Sequence, residues 1–214
     1  EAQKLYDKYS DNTLGVISDA RFPLKSAAKA FGNEVMPEEK PKHRTDTFGR
    51  EKCPDAGLQL FRYIRKNDPF VPLIIESSES ENRAKAEAEG FRFVDKNSKK
   101  MSVDLRRLME EHMGFGDFIF RDPKTHEEIM RIHSLKELQD NIFNIPNDSM
   151  LYHISRNHMS RWLCARAIFP VSAFLKHVTW EKLQDVDAHR QIIFDAIVQY
   201  RHMKNIGVVA VFDR

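Results

Sequence analysis

Three short apolar runs alternate with helical patterns across residues 1–113, and this alternation most limits what the chain can fold into. The runs are residues 13–18, 71–76 ("VPLIIE") and 91–95 ("FRFVD"). Strands alternating with helices imply a parallel sheet covered by those helices. Pro72 is tolerable because it stands near a strand start. Between the runs, residues 55–66 carry Leu58, Phe61 and Ile64 at helical spacing. Ser78 and Glu81 form a capping-box pattern for a helix ending at Gly90, and a further helix over residues 100–113 stops at Gly114. Residues 1–9 read as helix. Residues 24–54, which include "PEEKPKHR", show no clear periodicity and are expected to be a surface loop, long enough to suggest function or disorder.

From residue 114 the pattern changes in kind. Residues 117–131 ("DFIFRDPKTHEEIMR") predict two strands around a turn at Asp122 to Thr125. Ser134 and Glu137 make a second capping box, Pro146 marks the end of that helix, and Ser149 is the expected cap of the next, through Trp162. Pro170 interrupts the pattern, residues 186–204 predict a long helix stopped near Gly207, and "VVAVF" (208–212) looks like a strand. Two domains follow, 1–113 and 114–214, the second a hairpin plus helices.

A net charge of +2, with 41% hydrophobic and 31% charged residues, is that of a folded chain without the block of one charge sign that marks nucleic-acid binders. Cys53 and Cys164 are far apart and match no metal or disulfide framework, a usage that fits a reducing cytoplasm. No apolar run approaches a membrane span, and no signal-peptide pattern opens the chain. The expectation is therefore a cytoplasmic protein, without nucleic-acid or membrane partners. Because it opens on Glu1, within a helical pattern, the chain is expected to be a segment of a longer one.

Ligand sites of open parallel sheets collect at the carboxyl ends of strands. Asp19, Ser77 and Lys96 follow the three runs there. A carboxylate can attack a phosphoryl group, a hydroxyl can hydrogen-bond its oxygens, and an ammonium can neutralise its charge. Taken singly, each has a plainer reading: a turn Asp, a cap Ser, a solvated Lys. A phosphatase of the haloacid-dehalogenase type needs a second acid two residues after the first, where this chain has Arg21.

With this order and spacing, residues 1–113 resemble the receiver domains of response regulators in two-component signalling. Asp19 matches the phospho-accepting aspartate and Pro23 the proline four positions on; "DAGLQLFRYIR" (55–65) is similar to the start of the family's third helix. Ser77 matches the Ser/Thr ending the fourth strand, Lys96 the lysine ending the fifth, and Phe93 the aromatic switch position. The resemblance implies a receiver-like, flavodoxin-like α/β fold lacking its first strands, and an Mg²⁺ site to which Asp19 contributes. That site is incomplete here, since the family's acidic pair follows a strand upstream of Glu1. Two other departures are residues 24–54, which replace a short loop, and Asn97, which stands where the family usually has proline.

"FGDFIFRDP", "LYHISRNHMSRWL" and "QYRHMKNIGVVAVFDR" resemble the connecting region that follows a receiver-like segment in bacterial proteins of the phosphoenolpyruvate synthase or pyruvate phosphate dikinase type. The implied partners are a histidine kinase, the C-terminal enzyme domains of the same chain, and a second copy in a homo-oligomer. The implied role is a regulatory switch phosphorylated on Asp19. The alternative is a degenerate receiver that docks or dimerises without phosphate chemistry. His153, His158 and Trp162, at i, i+5 and i+9, do not share a helix face as a metal pair would, and core packing or interhelical hydrogen bonding is favoured. "KHR" (42–44) could meet a phosphate, but a solvated loop is the simpler reading.

Overall fold

A computed structural model of the chain describes residues 1–22 and 53–206. The chain forms two compact units, Glu1–Arg106 and Arg107–Arg214. The loop expected at 24–54, with "KHR" and Pro23, lies almost wholly outside the described residues, as does the strand expected at 208–212.

The first unit opens with α1 (Ala2–Tyr9) and a 3-10 turn (Ser10–Asn12), then alternates β1 (Val16–Asp19), α2 (Ala56–Asn67), β2 (Leu73–Ser77), α3 (Glu81–Ala88) and β3 (Arg92–Asp95). The strands form a parallel sheet in the order β1-β2-β3. β1 starts later than the pattern predicts because the Thr13 N–H still closes the 3-10 turn on the Ser10 carbonyl. β1 and β2 also run one residue further than expected, so that Asp19 and Ser77 are themselves strand residues. β2 lies centrally, and Leu73, Ile74 and Ile75 are all buried, as a continuous apolar run requires. The core gathers Leu73 and Ile75 with Leu58, Phe61 and Ile64 of α2, Tyr6, Ala86 and Phe91.

The capping box expected at Ser78 does not form. Ser80 is the N-cap residue of α3 and makes no side-chain cap bond. Ser77 takes the preceding turn instead, its Oγ accepting the Glu79 N–H at 3.1 Å.

Gly57, at the start of α2, is set by contact. Its N–H donates to the Ala20 carbonyl at 3.0 Å. A Cβ there would lie 2.4 Å from the Asp19 carbonyl oxygen and 2.9 Å from Ile75 Cδ1. Only glycine lets the helix reach the backbone leaving β1.

In the second unit α4 (Met101–His112), which begins in the first, leads to an antiparallel hairpin of β4 (Phe118–Arg121) and β5 (Glu128–Ile132). Helices α5 (Leu135–Asn141), α6 (Asn147–Ser155), α7 (His158–Ala165), α8 (Phe169–His177) and α9 (Val186–Ile206) follow. The Ser134 box forms: Ser134 Oγ accepts the Glu137 N–H at 3.2 Å, and Glu137 Oε2 accepts the His133 N–H at 2.8 Å. Three expectations are corrected. Pro146 is the N-cap residue of α6 rather than a helix end, so Ser149 lies inside the first turn. The helix expected through Trp162 is two, because Asn157 takes a left-handed conformation (φ 56°) that turns the chain between them. Pro170 opens α8, where its missing N–H costs nothing.

The Gly114 region is pinned to α7. Arg166 donates to the carbonyls of Gly114 (2.9 Å) and Gly116 (2.8 Å), and Trp162 Nε1 donates to Gly116 (3.1 Å). The guanidinium of Arg166 also lies 4.1 Å from the centre of the Trp162 ring. Around Trp162, the residues Phe118, Phe120, Ile132, Leu138, Met150 and Ile197 form the core of this unit. Among the described residues no helix is long and apolar enough to cross a membrane.

The contact at Gly57 has a measurable consequence. Gly57→Ala must push α2 away from β1, and is expected to destabilise the first unit by about 1–3 kcal/mol, an overpacking cost. Urea unfolding followed by far-UV circular dichroism measures it; an unchanged midpoint would show that α2 is not held in contact there.

Candidate functional site

Parallel pairing brings all three strands to a common carboxyl edge. Asp19 ends β1 opposite Glu76, and Ser77 ends β2 opposite Asp95. The ladder then continues one residue beyond the strands: the Ala20 N–H donates to the Glu76 carbonyl and the Lys96 N–H to the Ser77 carbonyl. Lys96 is thereby fixed beside β2. From there its ammonium crosses to β1 and contacts Asp19 Oδ1. It also lies 3.9 Å from Glu76 Oε2, so one cation serves two carboxylates.

The three positions read from sequence differ in character. The Asp19 side chain is 54% exposed, which leaves its carboxylate open to a ligand from solvent. Ser77 is buried, and its Oγ accepts from Asn82 Nδ2 at 2.8 Å as well as from the Glu79 N–H. A hydroxyl with two acceptor bonds still has its own proton to donate. Phe93 is partly buried against the core of the first unit, with the Arg83 guanidinium 4.7 Å from its ring centre.

Four further residues, none of them expected from sequence as part of the site, stand around this edge. Glu76, 16% exposed at its side chain, is the second carboxylate on Lys96. Asn82 locks the Ser77 rotamer from α3. Arg21 and Glu79, each two residues past a strand end, form an ion pair of 2.7 Å between the loops leaving β1 and β2. Their matching offset from Asp19 and Ser77 puts both loops at the same edge of the sheet but does not itself pair them. Asn97 contributes differently from a proline at that position. Its side chain donates to the Ser78 carbonyl at 2.8 Å, and its N–H donates to Asp95 Oδ1 at 2.8 Å, so the loop carrying Lys96 is tied to the loop after β2.

The magnesium expectation meets a different donor set. Magnesium asks for oxygen ligands converging on one point. Here Asp19 and Glu76 converge on an ammonium, and Glu79 is taken by Arg21. Among the described residues no group of three or more His, Cys, Asp or Glu side chains could hold a metal ion. The residues described do not fit the magnesium site that the resemblance implies.

His153 and His158 of the second unit do meet, though not on one helix face. The turn at Asn157 ends α6 and starts α7, which brings His153 Nδ1 to 3.0 Å from His158 Nδ1. His153 Nε2 accepts the Arg121 N–H of β4 at 3.2 Å. Rings of Phe118, Phe120 and Tyr152 surround His153. Burial is the main cause that pushes the His153 imidazole down to about 3 and holds His158 well below the ordinary histidine range.

No family model matches this chain, and it is not significantly similar to any curated protein or solved structure.

Ser77 offers the sharpest structural test of the edge. Ser77→Ala removes the acceptor of the buried Asn82 amide and of the Glu79 N–H, at an expected loss of about 1–3 kcal/mol for the stranded polar groups. Chemical denaturation measures it. Retained stability would mean that Asn82 finds another partner.

Proposed function

We propose that the first unit is a receiver-like regulatory module that accepts a phosphoryl group on Asp19. The enzyme it regulates is of the phosphoenolpyruvate synthase or pyruvate phosphate dikinase type, on the same polypeptide. The observation that carries the reading is the contact of Lys96 with Asp19 across β2, at the carboxyl edge of three parallel strands.

In the proposed step, a carboxylate oxygen of Asp19 attacks the phosphorus of a phosphodonor. The new P–O bond forms as the bond to the donor's leaving group breaks, and that group departs with the electron pair. Asp19 can do this because it is open to solvent. The acyl phosphate adds negative charge beside Glu76, and Lys96 is the cation in place to offset it. The spare Ser77 proton can be donated to a phosphoryl oxygen without giving up the bonds from Asn82 and Glu79. Phe93, separated by Val94 and Asp95 from the loop that carries Lys96, is the aromatic side chain through which a shift of that loop would reach the surface.

A second reading is favoured by one observation: the carboxylates of Asp19, Glu76 and Glu79 at this edge already have cationic partners in Lys96 and Arg21. On that reading the unit is a degenerate receiver, a docking or dimerisation domain with no phosphate chemistry.

The test uses the full-length natural protein, incubated with acetyl phosphate and with excess Mg²⁺ in solution. Phosphoaspartate is expected on Asp19, read by borohydride trapping and mass spectrometry. Asp19→Asn should abolish it, and Lys96→Ala should lower its yield. A folded protein that takes up no label at Asp19, from acetyl phosphate or beryllofluoride, would overturn the signalling reading in favour of docking.

A further inference from the structure

A peptide N–H can only donate, so the bond from Arg121 requires His153 Nε2 to be bare. A neutral His153 therefore carries its proton on Nδ1. That proton points at His158 Nδ1, 3.0 Å away, which must in turn be bare, leaving the His158 proton on Nε2. Both tautomers are thus determined by one backbone amide. A proton added to His153 meets the Arg121 N–H head on, and a proton added to His158 meets the Nδ1 proton of His153. Either addition breaks one of the two hydrogen bonds, and a change of tautomer can at most move the loss from one bond to the other.

The bonds at risk join three elements. His153 lies in α6, His158 opens α7, and Arg121 ends β4. The neighbouring groups also oppose a positive charge: Arg121 from β4, Arg156 beyond α6, Arg161 from α7, and His112 from α4, itself 3.8 Å from Glu111. A further titratable neighbour, Tyr152 of α6, presents its ring, with centroids 5.0 Å from His153 and 5.6 Å from His158. We infer that the hydrogen-bond chain from the Arg121 N–H through His153 to His158 is an acid-released latch, which holds the hairpin and α6 to α7 while both imidazoles are neutral and loses one of its two bonds when either is protonated.

The sign follows from the neutral state being the buried one. The stabilisation is complete above the ordinary histidine value of about 6.5 and is lost as pH falls below it toward about 3. In the full-length protein, the near-UV signal of the aromatic cluster should be lost cooperatively in that window, with uptake of up to about two protons. The double substitution His153→Leu/His158→Leu should move the midpoint down by about one pH unit or more. An unmoved midpoint would overturn the latch. Nitrogen-15 spectra of the natural protein's histidines keep the test decisive if the double variant does not fold. The expected result is Nδ1–H for His153 and Nε2–H for His158 at neutral pH, with neither ring titrating near 6.5; the opposite tautomers or ordinary titration would equally refute it.

Discussion

The carboxyl edge of the first unit depends on how closely α2 approaches the end of β1. The backbone of Gly57 lies against the Asp19 carbonyl and is hydrogen-bonded to Ala20, so the chain leaving β1 has one course available to it. Among the described residues Asp19 ends an edge strand of the sheet and has a ladder partner on one side, and contact with α2 restrains it further. Strand pairing then propagates that position through β2 to Lys96, whose own backbone is held by the Ser77 carbonyl. The side chains that meet at the edge are consequences of this backbone geometry.

Stability and chemistry are divided between these side chains. The Lys96–Asp19 and Arg21–Glu79 pairs are partly exposed, and ion pairs of that kind contribute little to folding because water screens them and their side chains lose entropy. Ser77 and Asn82 are buried and hydrogen-bonded to each other, which is where the edge is made rigid. A rigid hydroxyl beside a soft, solvated ion pair is an arrangement in which a ligand can reorganise charge without disturbing the sheet.

The second unit solves its polar problem in another way. Its helices α6 and α7 are short, and the turn between them leaves two imidazoles in an aromatic core. They satisfy each other and a strand-end amide. Arg166 performs the corresponding service for the carbonyls around Gly114, stacking its guanidinium on Trp162 as it does so. Here the polar groups hold the hairpin and helices in one arrangement, and the apolar side chains fill what lies between them.

Periodicity and punctuation determined much of this by themselves. The apolar run at 71–76 marks a strand buried on both faces, the Ser134–Glu137 pair marks a helix start, and the alternation of strands with helices places Asp19, Ser77 and Lys96 at one edge of a parallel sheet. These are short-range signals, written within a few residues of the structure they specify. Helix boundaries at Asn157 and Ser80 were not legible, because a left-handed asparagine and a serine turn compete locally with caps that fit the pattern equally well. Nor could the sequence pair Arg21 with Glu79, or His153 with Arg121, since those partners are far apart along the chain. Such contacts are decided only when packing sets distances, because whether a charge or an imidazole is satisfied depends on what arrives within about 3 Å of it, and chain spacing carries no record of that.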